Sequence, residues 1–329
     1  MADPAAAFVD HHVHLLRVAA GVASRGAVST PASIAAYHRS VLERGSTPMD
    51  EPPGEPAAQD LVVAMRDGLQ KAADLGLVGV TETGMSDWRH WDALVALREA
   101  DGGRLPVDVR VLVASGAADL ERMALARADN DDRLAVVGVK FYADGWLGPR
   151  TCACSLPFAD VEGDDRGILF QDAATLASRA EPYAAAGFGL ATHAIGDRAI
   201  ETVLDAYESV YGGAAGVRAA APRIEHAQVL RPELIERMSA LGVVACIQPC
   251  FATSDAESIA LALAGRFPEA YRWDLLLAAG VTVIAGSDFP IETLDPTIGL
   301  ERLTNGEHAL DHDVALRLMT TPLDHVWAR

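Results

Sequence analysis

Residues 188–212 read FGLATHAIGDRAIETVLDAYESVYG. A short apolar run ends in a histidine. The segment that follows carries Ala199, Ile200, Val203, Leu204 and Tyr207 at the three- and four-residue spacing of one helical face. Gly212 closes it, where a left-handed C-cap would cost another residue energy. This unit recurs. Apolar, β-rich runs lie at 8–14, 77–83, 107–114, 135–142, 188–193, 223–226, 243–248 and 281–286, separated by amphipathic segments such as QDLVVAMRDGLQKAADLG and RPELIERMSALG. Eight such runs alternating with helices in 329 residues predict an α/β fold of the (β/α)8 barrel type. A doubly wound open sheet is the competing arrangement. One barrel domain is expected over 1–329, interrupted after its first strand by an insertion at 17–58 that is rich in Gly, Ser, Thr and Pro. Insertions of this length are lids, binding loops or mere excursions.

Composition narrows the function classes. Acidic residues outnumber basic ones by 46 to 27, a net charge of −19, which argues against nucleic-acid or anionic-membrane surfaces built on clustered Lys and Arg. Half the residues are hydrophobic, enough for a large core. No apolar run reaches the roughly 18 residues that span a bilayer, and MADPAAAF has no basic signal-peptide start. A soluble cytoplasmic protein acting on a small molecule is expected, with a homodimer as the default assembly. Cys152 and Cys154 form a lone C-x-C, and Cys246 and Cys250 lie off zinc-ribbon spacing, so no role is assigned to them.

Chemistry gathers at the ends of the β-runs. The first ends in Asp10-His11-His12-Val13-His14. Residues two apart on a strand share a face, so His12 and His14 project together, able to share a metal ion, while His11 points away. Lys140 sits inside the apolar run VVGVKFYADG, where an ammonium must be paired, neutral or chemically modified. His193 and His226 stand at the tips of the fifth and sixth runs, and Asp288 lies just beyond the eighth. Each has a plain alternative, a core histidine or a capping aspartate. In a closed barrel, however, all these ends converge on one mouth. The remaining histidines, His38, His90, His308, His312 and His325, read as surface residues.

Taken together, VDHHVHL (9–15), VKFYADGWLGPRT (139–151), THAIGDRAIETVLDAYE (192–208), RIEHAQ (223–228) and GVTVIAGSDFP (280–290) resemble the amidohydrolase superfamily. The closer likeness is to amidohydrolase family 3, the branch of N-substituted formamide deformylase and its YtcJ-like relatives. The resemblance implies two divalent metal ions, Zn2+ first among the candidates. It assigns His12 and His14 to the more buried ion and His193 and His226 to the second. Lys140 matches the lysine that is carboxylated, as a bridge, in relatives with two metals, and Asp288 the aspartate that contacts metal and shuttles protons. Asp144, Trp146 and Arg150 fall in the loop after the fourth run and are candidates to face substrate. Relatives usually carry a small β-sandwich as well. With about seven residues ahead of the first run, a barrel without it is expected here.

The activity implied is hydrolysis of a C–N bond in an amide, formamide, carbamate or cyclic amide. Asp288 would move a proton from the attacking water to the leaving nitrogen. An ester or lactone hydrolase on the same site is the rival among enzymes, and a retired, ligand-binding barrel the rival outside them. His226 and His193 need acceptors for their second nitrogens. Glu225, beside His226, is expected to face the other way and is not given that task.

Overall fold

A computed structural model describes residues 6–16 and 58–327. Eight parallel strands follow one another in chain order around a nearly closed barrel. They are β1 (Phe8–Val13), β2 (Leu77–Met85), β3 (Asp108–Ala114), β4 (Leu134–Tyr142), β5 (Gly189–Ala194), β6 (Arg223–His226), β7 (Val244–Ile247) and β8 (Thr282–Ala285). Between them run α1 (Ala58–Asp74), α2 (Trp88–Ala100), α3 (Leu120–Ala128), α4 (Ala173–Ala185), α5 (Asp197–Tyr211), α6 (Ala214–Ala220), α7 (Pro232–Leu241) and α8 (Trp273–Ala278). The chain then adds α9 (Pro296–Thr304), α10 (His312–Thr320) and α11 (Leu323–Val326). The barrel is therefore the arrangement adopted, and the open sheet is not. The expected insertion at 17–58 lies outside the described residues except for its last position, which opens α1. Among the described residues, no helix is long and apolar enough to cross a membrane.

Local sequence explains the repeat. In α5, Ala199, Ile200, Val203, Leu204 and Tyr207 are buried against the sheet, and Gly212 ends the helix at φ 70°. Asp197 is the first residue of that helix and Gly196 its N-cap. The Asp197 carboxylate instead takes the Ser155 N–H at 2.8 Å and pairs with Arg231 at 2.7 Å. His90 corrects the surface assignment made from sequence. It is buried, because the inner face of α2 is wide enough to take in His90, Trp91, Leu94 and Leu97.

The barrel closes where β1 meets β8. Asp288 N–H donates to the His12 carbonyl and His14 N–H to the Phe289 carbonyl, both at 2.7 Å. Gly286 makes this approach sterically feasible, since a Cβ there would stand 2.5 Å from both N and Cβ of His12. At the other end, Trp327 packs against Leu112, Ala135, Val137 and Ala191, and Val326 against Val244, Cys246 and Ile284. These two groups are separate from the main core between strands and helices, so the last helix and Trp327 plug the barrel floor.

Gly286→Ala is expected to destabilise the protein by about 1–3 kcal/mol or more, because backbone rather than a flexible side chain must yield. Urea unfolding checks this, as a lower midpoint at unchanged slope.

Candidate metal centre

His12, on β1, is 1% exposed and His14, one residue past the strand, is buried with it. Their rings lie 5.2 Å apart between centroids, His12 lies 5.0 Å from His226, and His226 lies 4.5 Å from His193. Asp288 reaches into this group, its Oδ1 3.0 Å from His14 Nε2 and 3.4 Å from His12 Nε2. One ligand atom from each of His12, His226 and Asp288 fits within 4.8 Å of the others. Lys140, also 1% exposed, lies on β4 with its Nζ 5.4 Å from the Tyr142 ring centroid and within electrostatic reach of His12, His193, His226 and Asp288. The structure thus brings together His12, His14, Lys140, His193, His226 and Asp288.

Strand register sets this convergence. Lys140 pairs with Ala191 and Tyr142 with His193, so Lys140 lies one layer below His193. His193 pairs with Glu225, and Glu225 with Cys246, which sets a second layer across β5, β6 and β7. Two of the clustered residues leave regular strand geometry. His226 has φ 76° and Asp288 φ 60°, both left-handed, a conformation that aspartate and histidine tolerate better than most residues. Asp10 ties β1 to the β8 loop: its Oδ1 accepts from His12 N–H at 3.0 Å and Ser287 N–H at 2.9 Å.

The second nitrogens decide what the rings can do. His12 Nδ1 lies 2.6 Å from Glu225 Oε2, His226 Nδ1 lies 2.7 Å from Gln248 Oε1, and His193 Nε2 lies 2.8 Å from the Gly145 carbonyl. Each partner is an acceptor, so each of these nitrogens carries the proton, and the other nitrogen of the ring keeps a lone pair. Burial holds all three rings neutral, lowering His12, His226 and, to about 3, His193. Burial would raise Asp288, but His12 and His14 beside it outweigh that and hold it well below the usual carboxylate range. Lone pairs therefore surround an anionic carboxylate, the donor set a divalent cation requires.

Glu225 is not the acceptor for its neighbour His226 or for His193, as expected from the sequence; it serves His12, across the barrel, which the sequence did not show. Burial would raise its carboxyl, but Arg223 and Lys140 hold it well below the usual range. Arg223 Nε and Nη2 donate to its two oxygens at 2.7 and 2.9 Å. Gln248 and the Gly145 carbonyl were likewise not foreseen; the second is a backbone group with no sequence signature. His11 points away from the cluster, as alternation predicts, with its Nε2 3.0 Å from the Thr321 carbonyl.

The loop after β4 is largely self-engaged. Asp144 accepts N–H groups from Ala153, Ile195 and Gly196 at 2.8–3.0 Å, and burial pushes its carboxyl up to about 8 against them. Arg150 is spent on Asp160 and the Leu147 carbonyl. Trp146 is partly buried against the core, and its backbone pairs with Thr151.

Comparison with known proteins now fits this geometry. The sequence model described as "Amidohydrolase family" matches residues 41–321. The chain belongs to the amidohydrolase family. It is 33% identical to YtcJ of Bacillus subtilis (strain 168) over 205 residues, which are 62% of this chain and 37% of YtcJ. It is 31% identical to the protein LONG AFTER FAR-RED 3 of Arabidopsis thaliana over 192 residues, 58% of this chain and 30% of that one. The matched stretches thus span about a third of these curated relatives. Among solved structures, an uncharacterized metal-dependent hydrolase from Pyrococcus furiosus superposes with a TM-score of 0.73 at 21% identity, over 95% of this chain and 80% of that one. An N-isopropylammelide isopropylaminohydrolase from Burkholderia multivorans gives 0.55 at 18%, over 95% and 72%. These likenesses show the (β/α)8 barrel fold.

The neutral histidines predict an acid-sensitive fold. His11, His12, His193 and His226 all have folded-state values below that of a free histidine, so the unfolded chain binds protons that the folded one refuses. Asp10 and Asp144, raised by burial to about 7 and about 8, oppose this, two groups against four. Below about pH 6.5 the metal-free protein should therefore lose stability as pH falls towards 4, on the order of 1–3 kcal/mol per pH unit. Urea midpoints across that range test it; a flat or rising profile on acidification would contradict it.

Proposed function

We propose that this member of the amidohydrolase family is a metal-dependent hydrolase that cleaves a C–N bond in a small molecule: an amide, N-substituted formamide, carbamate or cyclic amide. The observation that carries the reading is the ring of neutral imidazoles, each donating its second N–H to an anchored oxygen, around the anionic Asp288. In this reading His12 and His14 hold one divalent ion and His193 and His226 a second, with Asp288 contacting metal and Zn2+ the first candidate. Ions held there would supply an acidified water, with pKa lowered towards about 7, and a Lewis acid for a carbonyl oxygen.

The chain's own residues supply the rest. Asp288, anionic at neutral pH, takes the proton of the attacking water and passes it to the leaving nitrogen as the C–N bond breaks. Glu225, Gln248 and the Gly145 carbonyl keep each imidazole in one tautomer, with its lone pair available to the ion it would hold. Burial pushes Lys140 down to about 8, against the pull of Glu225 and Asp288. Its neutral fraction can add carbon dioxide, giving the carbamate that would bridge two ions. Four buried cysteine thiols suit the reducing cytoplasm assigned to it here.

Elemental analysis of purified protein should find close to two metal ions per chain. Native mass measurement in bicarbonate should show one added carbon dioxide that Lys140→Ala lacks; about one ion and no adduct would remove Lys140 as a bridge.

Asp288→Asn should lower kcat by about 10²–10⁴ on an amide substrate. Full turnover by a metal-loaded Asp288→Asn variant would sink the proton-shuttle role. Matched amides and esters, assayed side by side, separate C–N from C–O cleavage: faster turnover of the amides is expected.

A further inference from the structure

Below the histidines the barrel interior contains a continuous column whose lower half, Arg223 and Trp327, has no part in the proposed function. Its base is Trp327, 4% exposed, on the floor. The Arg223 guanidinium lies over its ring, 4.7 Å from the centroid. Arg223 grips Glu225 through two nitrogens, at 2.7 and 2.9 Å, and Nη2 also donates to the His11 carbonyl at 2.8 Å. Glu225 Oε2 then meets His12 Nδ1 at 2.6 Å. Arg223 and Glu225 are each 0% exposed.

We propose that Trp327 and Arg223 are positioning residues for His12, so that the segment closing the barrel floor sets metal affinity at the opposite end. A forked guanidinium holds a carboxylate in one plane, which a lysine ammonium cannot do. With Oε1 fixed on Arg223 Nε, Oε2 is left facing His12. Arg223 is fixed in turn. Its Nη1 has no hydrogen-bond partner among the described residues, and the indole face is what covers the group. The indole is itself wedged: a Cβ on Gly189 would stand 2.5 Å from its Cζ3. Removing the indole leaves a cavity into which Arg223 can swing, releasing Glu225 and with it the Nδ1–H tautomer of His12.

This inference rests on the reading of His12 as a metal ligand. Trp327→Leu, Trp327→Phe and Arg223→Lys are made in the full chain. Zinc affinity is read by chelator competition, and the His12 tautomer by ¹⁵N–¹H correlation of the metal-free protein. Trp327→Leu and Arg223→Lys should weaken zinc binding about 10–100-fold, the effect typical of groups behind a metal ligand. Trp327→Phe, which keeps an aromatic face, should stay within about 3-fold. His12 should be the Nδ1–H tautomer in the wild type and a mixture in Trp327→Leu. Wild-type zinc affinity in both folded variants would overturn the proposal. An Nε2–H tautomer in the wild type would overturn it too, without recourse to any variant. If the wild type binds no zinc, the proposed function fails, while the tautomer comparison still decides the column.

Discussion

The seam between β1 and β8 is the constraint on which the site depends. His12 and Asp288 are brought together by two backbone hydrogen bonds across that seam and by the missing side chain at Gly286. Side chains alternate with a period of two, so a slip of one residue would turn His12 and His14 away and put His11 in their place. Asp10 guards against that slip by taking backbone N–H groups from both sides, His12 and Ser287. A carboxylate next to the ligands thus serves the register of the barrel rather than its chemistry.

Below the seam, charge is organised in depth. The imidazoles are neutral, and the counter-charges sit behind them in the Arg223–Glu225 pair. Burying such a pair gains little stability, because desolvation offsets most of the attraction. Its return is orientation. A fork that accepts only one plane fixes Glu225, and Glu225 fixes the proton on His12. Stability is drawn instead from the apolar layer outside the barrel, where helices such as α5 bury one face against the strands.

Much of this was legible in the sequence, for identifiable reasons. All eight β-runs became strands, because each is short, apolar and closed by a helical pattern with its own stop signal. That the side chains at strand tips would meet could be read because in this fold a tip has only one place to point. What failed was anything set by distance or by irregular backbone. Glu225 gave no sign of serving His12, because alternation along β6 ends at His226, whose φ is 76°. It is also 213 residues from its partner His12, beyond any local pattern. His90 was taken for a surface residue because a helix's buried width is set by its neighbours. Asp144 and Arg150 looked available because a loop's internal hydrogen bonds leave no trace in composition.

TPLDHVWAR carried no signal in the sequence, yet Trp327 stoppers the barrel. A vessel sealed at the base is a cul-de-sac. Among the described residues the open way to the histidines is the mouth, so under the proposed function substrate and product would share one route, against each other's traffic. Loops around the mouth therefore govern arrival and departure together, and a change that speeds one will slow or speed the other with it.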